Sequence, residues 1–290
     1  MKKCAIIANG YYHGDSYMDQ INSITYELEL LNVSVDRIYT DKLIAGISNS
    51  NVLSAVGDYD FIVFLDKDIY LSHMLEKAGY NLVNSARSIE LCDDKMKTYV
   101  VLSNNDINIP DTISAPLNYA NIEDDFCLNA ENLLGYPVVI KEVYGSMGKN
   151  VYLAKNRQEL KAISVKLTHV PYLFQKFIGV GGADIRVILI GGKCVGAMKR
   201  QNNNDFRSNI ELGGFGTKIQ LTDGLIEICE KTASVLQLDY CGIDILQEGA
   251  KNYVCEVNSN AFFKGFKSVT GINVAKLYAQ FLYEKFYGKN

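Results

Sequence analysis

Three oxygen-bearing side chains near the C-terminal end of the chain have the types and spacing to hold a cation. They lie in Gly242-Ile243-Asp244-Ile245-Leu246 and in Tyr253-Val254-Cys255-Glu256-Val257-Asn258. Both runs read as strands, and a hairpin closed across Gln247–Asn252 in a symmetric register sets Asp244 opposite Glu256. The strand period of two then brings Asn258 to the face of Glu256. An ionised carboxylate inside an apolar strand is costly unless something pairs with it. Two carboxylates and an amide oxygen on one face suit a hard cation such as Mg²⁺, which takes oxygen ligands and keeps phosphate oxygens in its shell. An ordinary amphipathic hairpin with its polar face in solvent has the same pattern, and the local residues divide evenly between the two readings.

Two further constellations carry charge or glycine. In Ile140-Lys141-Glu142-Val143-Tyr144-Gly145-Ser146-Met147-Gly148-Lys149-Asn150, the glycine that opens a P-loop is missing upstream of Gly148. Asn150 also stands where that loop needs Ser or Thr. The segment reads better as a strand ending in Lys141 and a glycine-containing hairpin tip, whose backbone N–H groups can cover phosphates; a plain β-hairpin is the alternative. Lys199, Arg200 and Arg207 concentrate positive charge ahead of Gly213-Gly214. Arginine suits planar, bidentate recognition of phosphate or carboxylate, and a solvated charge run is the bland reading. The cluster Gly179–Gly182 lacks the strand–helix setting of a dinucleotide fingerprint and reads as a turn.

The elements that must position these groups fall into two regimes. Cys4–Ala8, Val33–Tyr39 and Phe61–Leu65 read as strands, interleaved with helices at Asp19–Asn32 and Ile69–Lys77. That alternation predicts a small open α/β sheet with parallel strands. A helix over Ser88–Leu102 ends in the polar loop Ser103–Asn108, a boundary between lobes. Beyond it come strands at Val138–Lys141, Asn150–Ala154, Tyr172–Phe177, Asp184–Ile190 and Cys194–Arg200, with helices at Arg157–Leu167, Asp223–Leu238 and Ile272–Phe286. Hairpins and helices in that order predict an α+β portion following the α/β one.

Composition removes several function classes. A net charge of −4 over 290 residues is the opposite of a general nucleic-acid binder. No run reaches membrane-spanning length, and Asn9-Gly10 breaks the short apolar run at the start, so the expectation is a cytoplasmic chain. The seven cysteines include no CxxC pair and lie mostly in apolar runs, as reduced structural thiols do; the three histidines lack zinc spacing.

Taken in order, these residues resemble the ATP-grasp superfamily and within it the RimK-type glutamate ligases. The resemblance is carried by Ser85-Ala86-Arg87-Ser88-Ile89, Asp94-Lys95, Pro137–Lys141, Asp184-Ile185-Arg186, Lys199-Arg200-Gln201, Phe206-Arg207-Ser208-Asn209, Gly213-Gly214, Gly242–Ile245, Glu256-Val257-Asn258 and Thr270-Gly271-Ile272. It implies an ATP-grasp fold, α/β and α+β, with an N-terminal open α/β (pre-ATP-grasp) lobe over residues 1–88. A small nucleotide-covering lobe over 89–171 and a C-terminal lobe with the metal site over 172–290 would follow.

The resemblance also assigns roles. Lys95 and Lys141 would contact phosphates, and Gln175-Lys176-Phe177 would line the adenine. Asp184 would lie near the ribose, and Arg207, Ser208 and Asn209 would approach the triphosphate. Asp244, Glu256 and Asn258 fall on the metal ligands, for Mg²⁺ with Mn²⁺ as a substitute. Arg200 and Arg207 would act in catalysis, with Arg186 or Arg200 on the substrate carboxylate. The implied reaction joins a carboxylate to an amine, an amino acid such as glutamate, by way of an acyl phosphate and with release of ADP. The expected partners are those two substrates, with no nucleic acid or membrane, and a homo-oligomer is allowed. A small-molecule kinase and a non-catalytic nucleotide-binding regulator are the rival readings. Two residues depart from the family pattern: Lys176 where glutamate is usual, and Leu212 where a basic residue precedes the paired glycines.

Overall fold

The computed structural model describes residues 2–54, 56–119, 126–145, 148–179, 181–208 and 213–288. The chain opens with β1 (Lys3–Ala8), α1 (Asp15–Leu30) and β2 (Ser34–Tyr39), then a hairpin of β3 (Ala45–Ser48) and β4 (Asn51–Ser54). β5 (Phe61–Leu65), α2 (Ile69–Lys77) and β6 (Leu82–Val83) follow, and the parallel sheet has the order β2-β1-β5-β6. β5 is buried along its whole length, as a strand covered on both faces must be.

The helix expected over Ser88–Leu102 is two helices, α3 (Ala86–Asp93) and α4 (Lys95–Leu102). The break is Asp94, whose extended backbone and side chain cap α4 by accepting from the Lys97 N–H. The new helix turns Lys95, Thr98, Tyr99 and Leu102 inward and leaves Val100 exposed. Lys95 thereby becomes the first residue of a helix, its N–H donating to the Val143 carbonyl at 3.2 Å.

A four-stranded antiparallel sheet comes next, ordered β7-β10-β8-β9 from β7 (Thr112–Ser114), β8 (Val138–Glu142), β9 (Val151–Ala154) and β10 (Tyr172–Lys176). It is covered by α5 (Phe126–Leu134) and α6 (Arg157–Lys166) around a core of its own that includes Ala130, Val138, Ile140 and Phe174. The division expected at residue 172 falls at the start of β10, a strand of this sheet.

The third sheet is antiparallel, β13-β12-β11-β14-β15. Its strands are β11 (Ala183–Ile190), β12 (Lys193–Gln201), β13 (Phe215–Ile219), β14 (Tyr240–Glu248) and β15 (Lys251–Asn258). The β11–β12 turn is Gly191-Gly192, both at positive φ, as a two-residue hairpin requires. α7 (Asp223–Val235) packs on one face of the sheet, while α8 (Lys264–Thr270) and α9 (Val274–Tyr287) pack near the N-terminal lobe. One apolar core runs from Ile6, Ile21 and Phe61 to Tyr240, Phe266 and Tyr278, joining the first lobe to the third. Asn84 fastens the same seam: its side chain donates to the Tyr240 and Ser259 carbonyls and accepts from the Asp239 and Tyr240 N–H groups. No helix among the described residues is long and apolar enough to cross a membrane.

Candidate active site

The floor of the site is one face of the third sheet. Antiparallel pairing sets Asp184 beside Arg200, Arg186 beside Asp244, and Asp244 beside Glu256. Acid and base therefore alternate across β12, β11 and β14, and Glu256 on β15 sets a second acid beside Asp244. Arg200 donates to both Asp184 oxygens, at 2.7 and 2.5 Å, and reaches Asp244 at 2.9 Å. Arg186 grips Asp244 through Nε and, at 2.7 Å, through Nη2. Burial alone would raise the Asp244 pKa, but Arg186 and Arg200 more than offset it and hold the carboxyl below its ordinary 3.8.

Asp244 and Glu256 face each other as expected, by a different route. The hairpin turn is Gly249-Ala250, with Glu248 paired to Lys251 and Ile245 to Val254. Continued without interruption, that register would set Asp244 against Cys255. A β-bulge between Asp244 and Ile245 slips the pairing by one residue. The bulge leaves Val254 and Val257 in the apolar core, three residues apart, and sends Cys255 and Glu256 together toward the cleft. Asn258 pairs with Gly242 one step further on.

The roof is the second sheet and its glycine tip. Lys141, buried near the end of β8, donates to the Cys255 Sγ at 3.4 Å. Lys95 comes from the α4 terminus, donates to the Gly145 carbonyl at 2.8 Å, and lies 3.8 Å from Glu256. Burial, opposed by Glu256, holds its pKa below the usual 10.5. Arg207 donates to the Gly148 carbonyl at 2.7 Å and forks onto Asp205. The tip is thus clasped at Gly145 by a lysine and at Gly148 by an arginine.

Two cavities result. A narrow cleft of about 100 Å³ runs between roof and floor. Lys95, Lys141, Gln175, Lys176, Phe177, Asp184, Arg200, Arg207, Ser208, Asp244 and Glu256 all line it, so the structure gathers these expected residues in one place. Val139, Val151, Ile178 and Leu246 give it an apolar end. Gln175 is tied down, its amide donating to Thr112 at 2.9 Å, and Lys176 leans to Asp111 at the rim, 3.9 Å away. Asn209 and Leu212 lie outside the described residues. The second cavity, about 490 Å³, lies between the first and third lobes and is bordered by Asn9, Asp66, Arg186, Met198, Asn258 and Phe262 among others. Arg200 and Glu256 border both cavities, which meet at those two side chains.

The donor set at the junction fits a hard cation. Glu256 is part-exposed, and the Asn258 amide nitrogen is buried with no partner. Turning that amide about its Cβ–Cγ bond puts the oxygen in the same place, and oxygen is what such a cation takes. Among the described residues no group of three or more His, Cys, Asp or Glu is arranged for a metal; the amide is the third donor here. Asp244 is committed to two arginines.

Cys255, Asn9 and Asp66 were not singled out from the sequence. Cys255 faces the cleft only because of the bulge. Asn9 and Asp66 follow β1 and β5 directly, so the signal was their place at the carboxyl ends of parallel strands, where α/β sheets bind ligands.

Residues 92–282 match the model of the RimK-like ATP-grasp domain. Human N-acetylaspartylglutamate synthase A is 37% identical over 221 residues, 74% of this chain and 56% of the synthase. The chain thus spans a little over half the length of that relative. Glutamate--LysW ligase ArgX of Sulfolobus acidocaldarius is 33% identical over 237 residues, 77% of this chain and 81% of the ligase. In fold the chain is similar to a RimK domain ATP-grasp protein from Sphaerobacter thermophilus, with a TM-score of 0.72, 19% identity and coverage of 96% of this chain and 98% of that one. D-alanine--D-alanine ligase from Bacillus anthracis gives a TM-score of 0.74 at 17% identity, covering 97% of this chain and 96% of that one. With two-thirds of its length inside the family model and this cleft between its second and third sheets, the chain belongs to the RimK-like ATP-grasp family.

Proposed function

We propose that the chain is an ATP-dependent carboxylate–amine ligase that forms an amide or peptide bond and releases ADP. The observation that carries this reading is the junction: a narrow cleft lined by Lys95, Lys141 and Arg207 and a separate cavity meet at Arg200 and Glu256. A phosphoryl group delivered from one side meets an acceptor held on the other.

In this reading the adenine lies against Val139, Val151, Ile178 and Leu246, with the 175–177 segment along its edge. Lys95, Lys141, Arg207 and Ser208 bind the triphosphate, and Asn209 joins them by resemblance. Glu256, Asn258 and Asp244 hold Mg²⁺, or Mn²⁺ in its place, which neutralises phosphate charge when bound. A substrate carboxylate oxygen bonds to the γ-phosphorus as the bond to the ADP oxygen breaks. The amine, having given its ammonium proton to solvent, then bonds through nitrogen to the acyl carbon. Phosphate leaves with the electron pair of the broken C–O bond, and the nitrogen sheds a second proton to give the amide. Such transfers need alignment and charge neutralisation more than a protein nucleophile. Arg200 and Arg186, held rigid by their carboxylates, orient the acyl group. Relatives named as N-acetylaspartylglutamate synthase and glutamate--LysW ligase support an amino acid, glutamate by analogy, as the amine. The three-lobe division at residues 88 and 171, with a homo-oligomer allowed, belongs to the same proposal.

The test is an ADP-release screen of purified protein over carboxylates and amines, with product masses. One ADP per bond and a condensed product are expected. AMP with pyrophosphate would sink the acyl-phosphate route, and ADP release with a carboxylate-free alcohol would favour a kinase.

A further inference from the structure

One carboxylate facing the larger cavity has only neutral partners. Asp66 accepts from the Asn9 amide at 3.1 Å and from the Lys67 N–H at 2.6 Å, with the Asp68 backbone its remaining hydrogen-bond contact. The Lys67 ammonium lies 2.7 Å from Asp93 instead. Burial raises the Asp66 pKa above the ordinary 3.8, as expected of a charge that has lost water without gaining a counter-ion.

The place of this carboxylate is set by topology. In the order β2-β1-β5-β6, the chain leaves β1 toward β2 on one side and β5 toward β6 on the other. The crevice between the carboxyl ends of β1 and β5 is therefore the switch point, where open α/β sheets take their ligands. Asn9 and Asp66 stand at those two ends and their hydrogen bond spans the crevice.

Charge accounting gives the ligand's character. Across the cavity, Arg186 and Arg200 are spent on Asp244 and Asp184. Tyr12, Met198, Phe262 and Phe266 supply apolar wall. With Lys67 spent on Asp93, and Glu256 given to the proposed metal site beside Lys95, Asp66 is a negative charge without a cationic partner among the described lining residues, and a ligand that fits brings a positive one.

We propose that Asp66, steadied by Asn9, is the ammonium-binding residue of this cavity, so that the amine substrate is an amino acid held through its free ammonium group. The assignment of the amine to this cavity rests on the ligase reading above. Asp66 is a specificity residue for the amine and has no part in binding ATP.

The test is calorimetry on the full chain with ADP and Mg²⁺ present, titrating the standard amino acids and then the N-acetyl derivative of the best binder. Acetylation should weaken binding by about tenfold or more, the scale of one charge-assisted contact. Asp66→Asn should weaken the free amino acid by a similar factor and leave the N-acetyl derivative and ADP unchanged. Equal binding of free and acetylated forms, native-like binding by Asp66→Asn, or no binding by any amino acid would overturn the proposal. If Asp66→Asn loses ADP binding, Asn9→Ala carries the test: its preference for the free over the acetylated form should fall about threefold, and an unchanged preference overturns the proposal. Because binding is read without turnover, a chain that binds the amino acid yet releases no ADP in the screen sinks the ligase reading alone.

Discussion

The site has a lysine end, on the roof, and an arginine end, on the floor, and they handle charge in opposite ways. At the arginine end, Arg186 and Arg200 are buried among Asp184 and Asp244, each cation answered by a carboxylate. At the lysine end, Lys141 leans on a thiol and Lys95 on a carbonyl, with Glu256 no nearer than 3.8 Å. A buried ion-pair network is rigid and costly to break from one side. A lysine satisfied by neutral acceptors keeps its net charge for an arriving anion. In the proposed reading the first end orients the acyl group and the second receives phosphate.

Removing one member at each end should expose the contrast. Asp244→Ala strands Arg186 and takes from Arg200 one of its two carboxylates, and is expected to cost about 3–5 kcal/mol of stability, read from the denaturant midpoint. Lys141→Met, a swap of similar length, should leave that midpoint within about 1 kcal/mol of native. Equal losses would erase the distinction.

Glu256→Gln tests the junction. It keeps the side chain's shape and its place in the bulge but removes the charge, so turnover should fall by about 100- to 1,000-fold with the fold intact. Near-native turnover would take Glu256 out of the metal site.

Smaller effects belong to nucleotide affinity. Lys141→Met should weaken ATP binding by about tenfold or more, a single charged phosphate contact. Lys95 gives a pH signature. In the proposed reading its ammonium form binds phosphate, and its pKa lies below 10.5. ADP affinity should therefore fall as pH rises through that depressed value, beginning earlier than for an ordinary lysine, and Lys95→Met should flatten the profile. A native profile flat to pH 10 would remove Lys95 from the phosphate site.

The elements with a strong apolar pattern were legible in the sequence, as an unbroken apolar run in β5 or an amphipathic stretch in α2: both fall at the expected residues, and β11, β12 and α9 lie within two residues at each end. The short pieces β3, β4, β7 and β13 were not, since three to five residues carry too little pattern. The one long helix became two because a capping aspartate looks like any polar residue until its backbone is seen. The juxtaposition of Asp244 with Glu256 was expected from a symmetric hairpin, but pairing symmetric about Gly249-Ala250 sets Asp244 against Cys255, and it is the bulge that brings Glu256 there. Asp66 was invisible for a different reason. Its meaning depends on which strands are neighbours, which is a property of the sheet and not of the segment.

The bulge in β15 has a practical consequence. By turning Cys255 to the same side as Glu256, it plants a thiol against Lys141 in the wall of the narrow cleft, while Cys4, Cys92, Cys127, Cys229 and Cys241 are buried. Burial pushes that thiol's pKa up, so it labels slowly with alkylating reagents, and any ligand filling the cleft shields it further. The rate of Cys255 alkylation, followed by mass spectrometry, is therefore a built-in gauge of how full the cleft is.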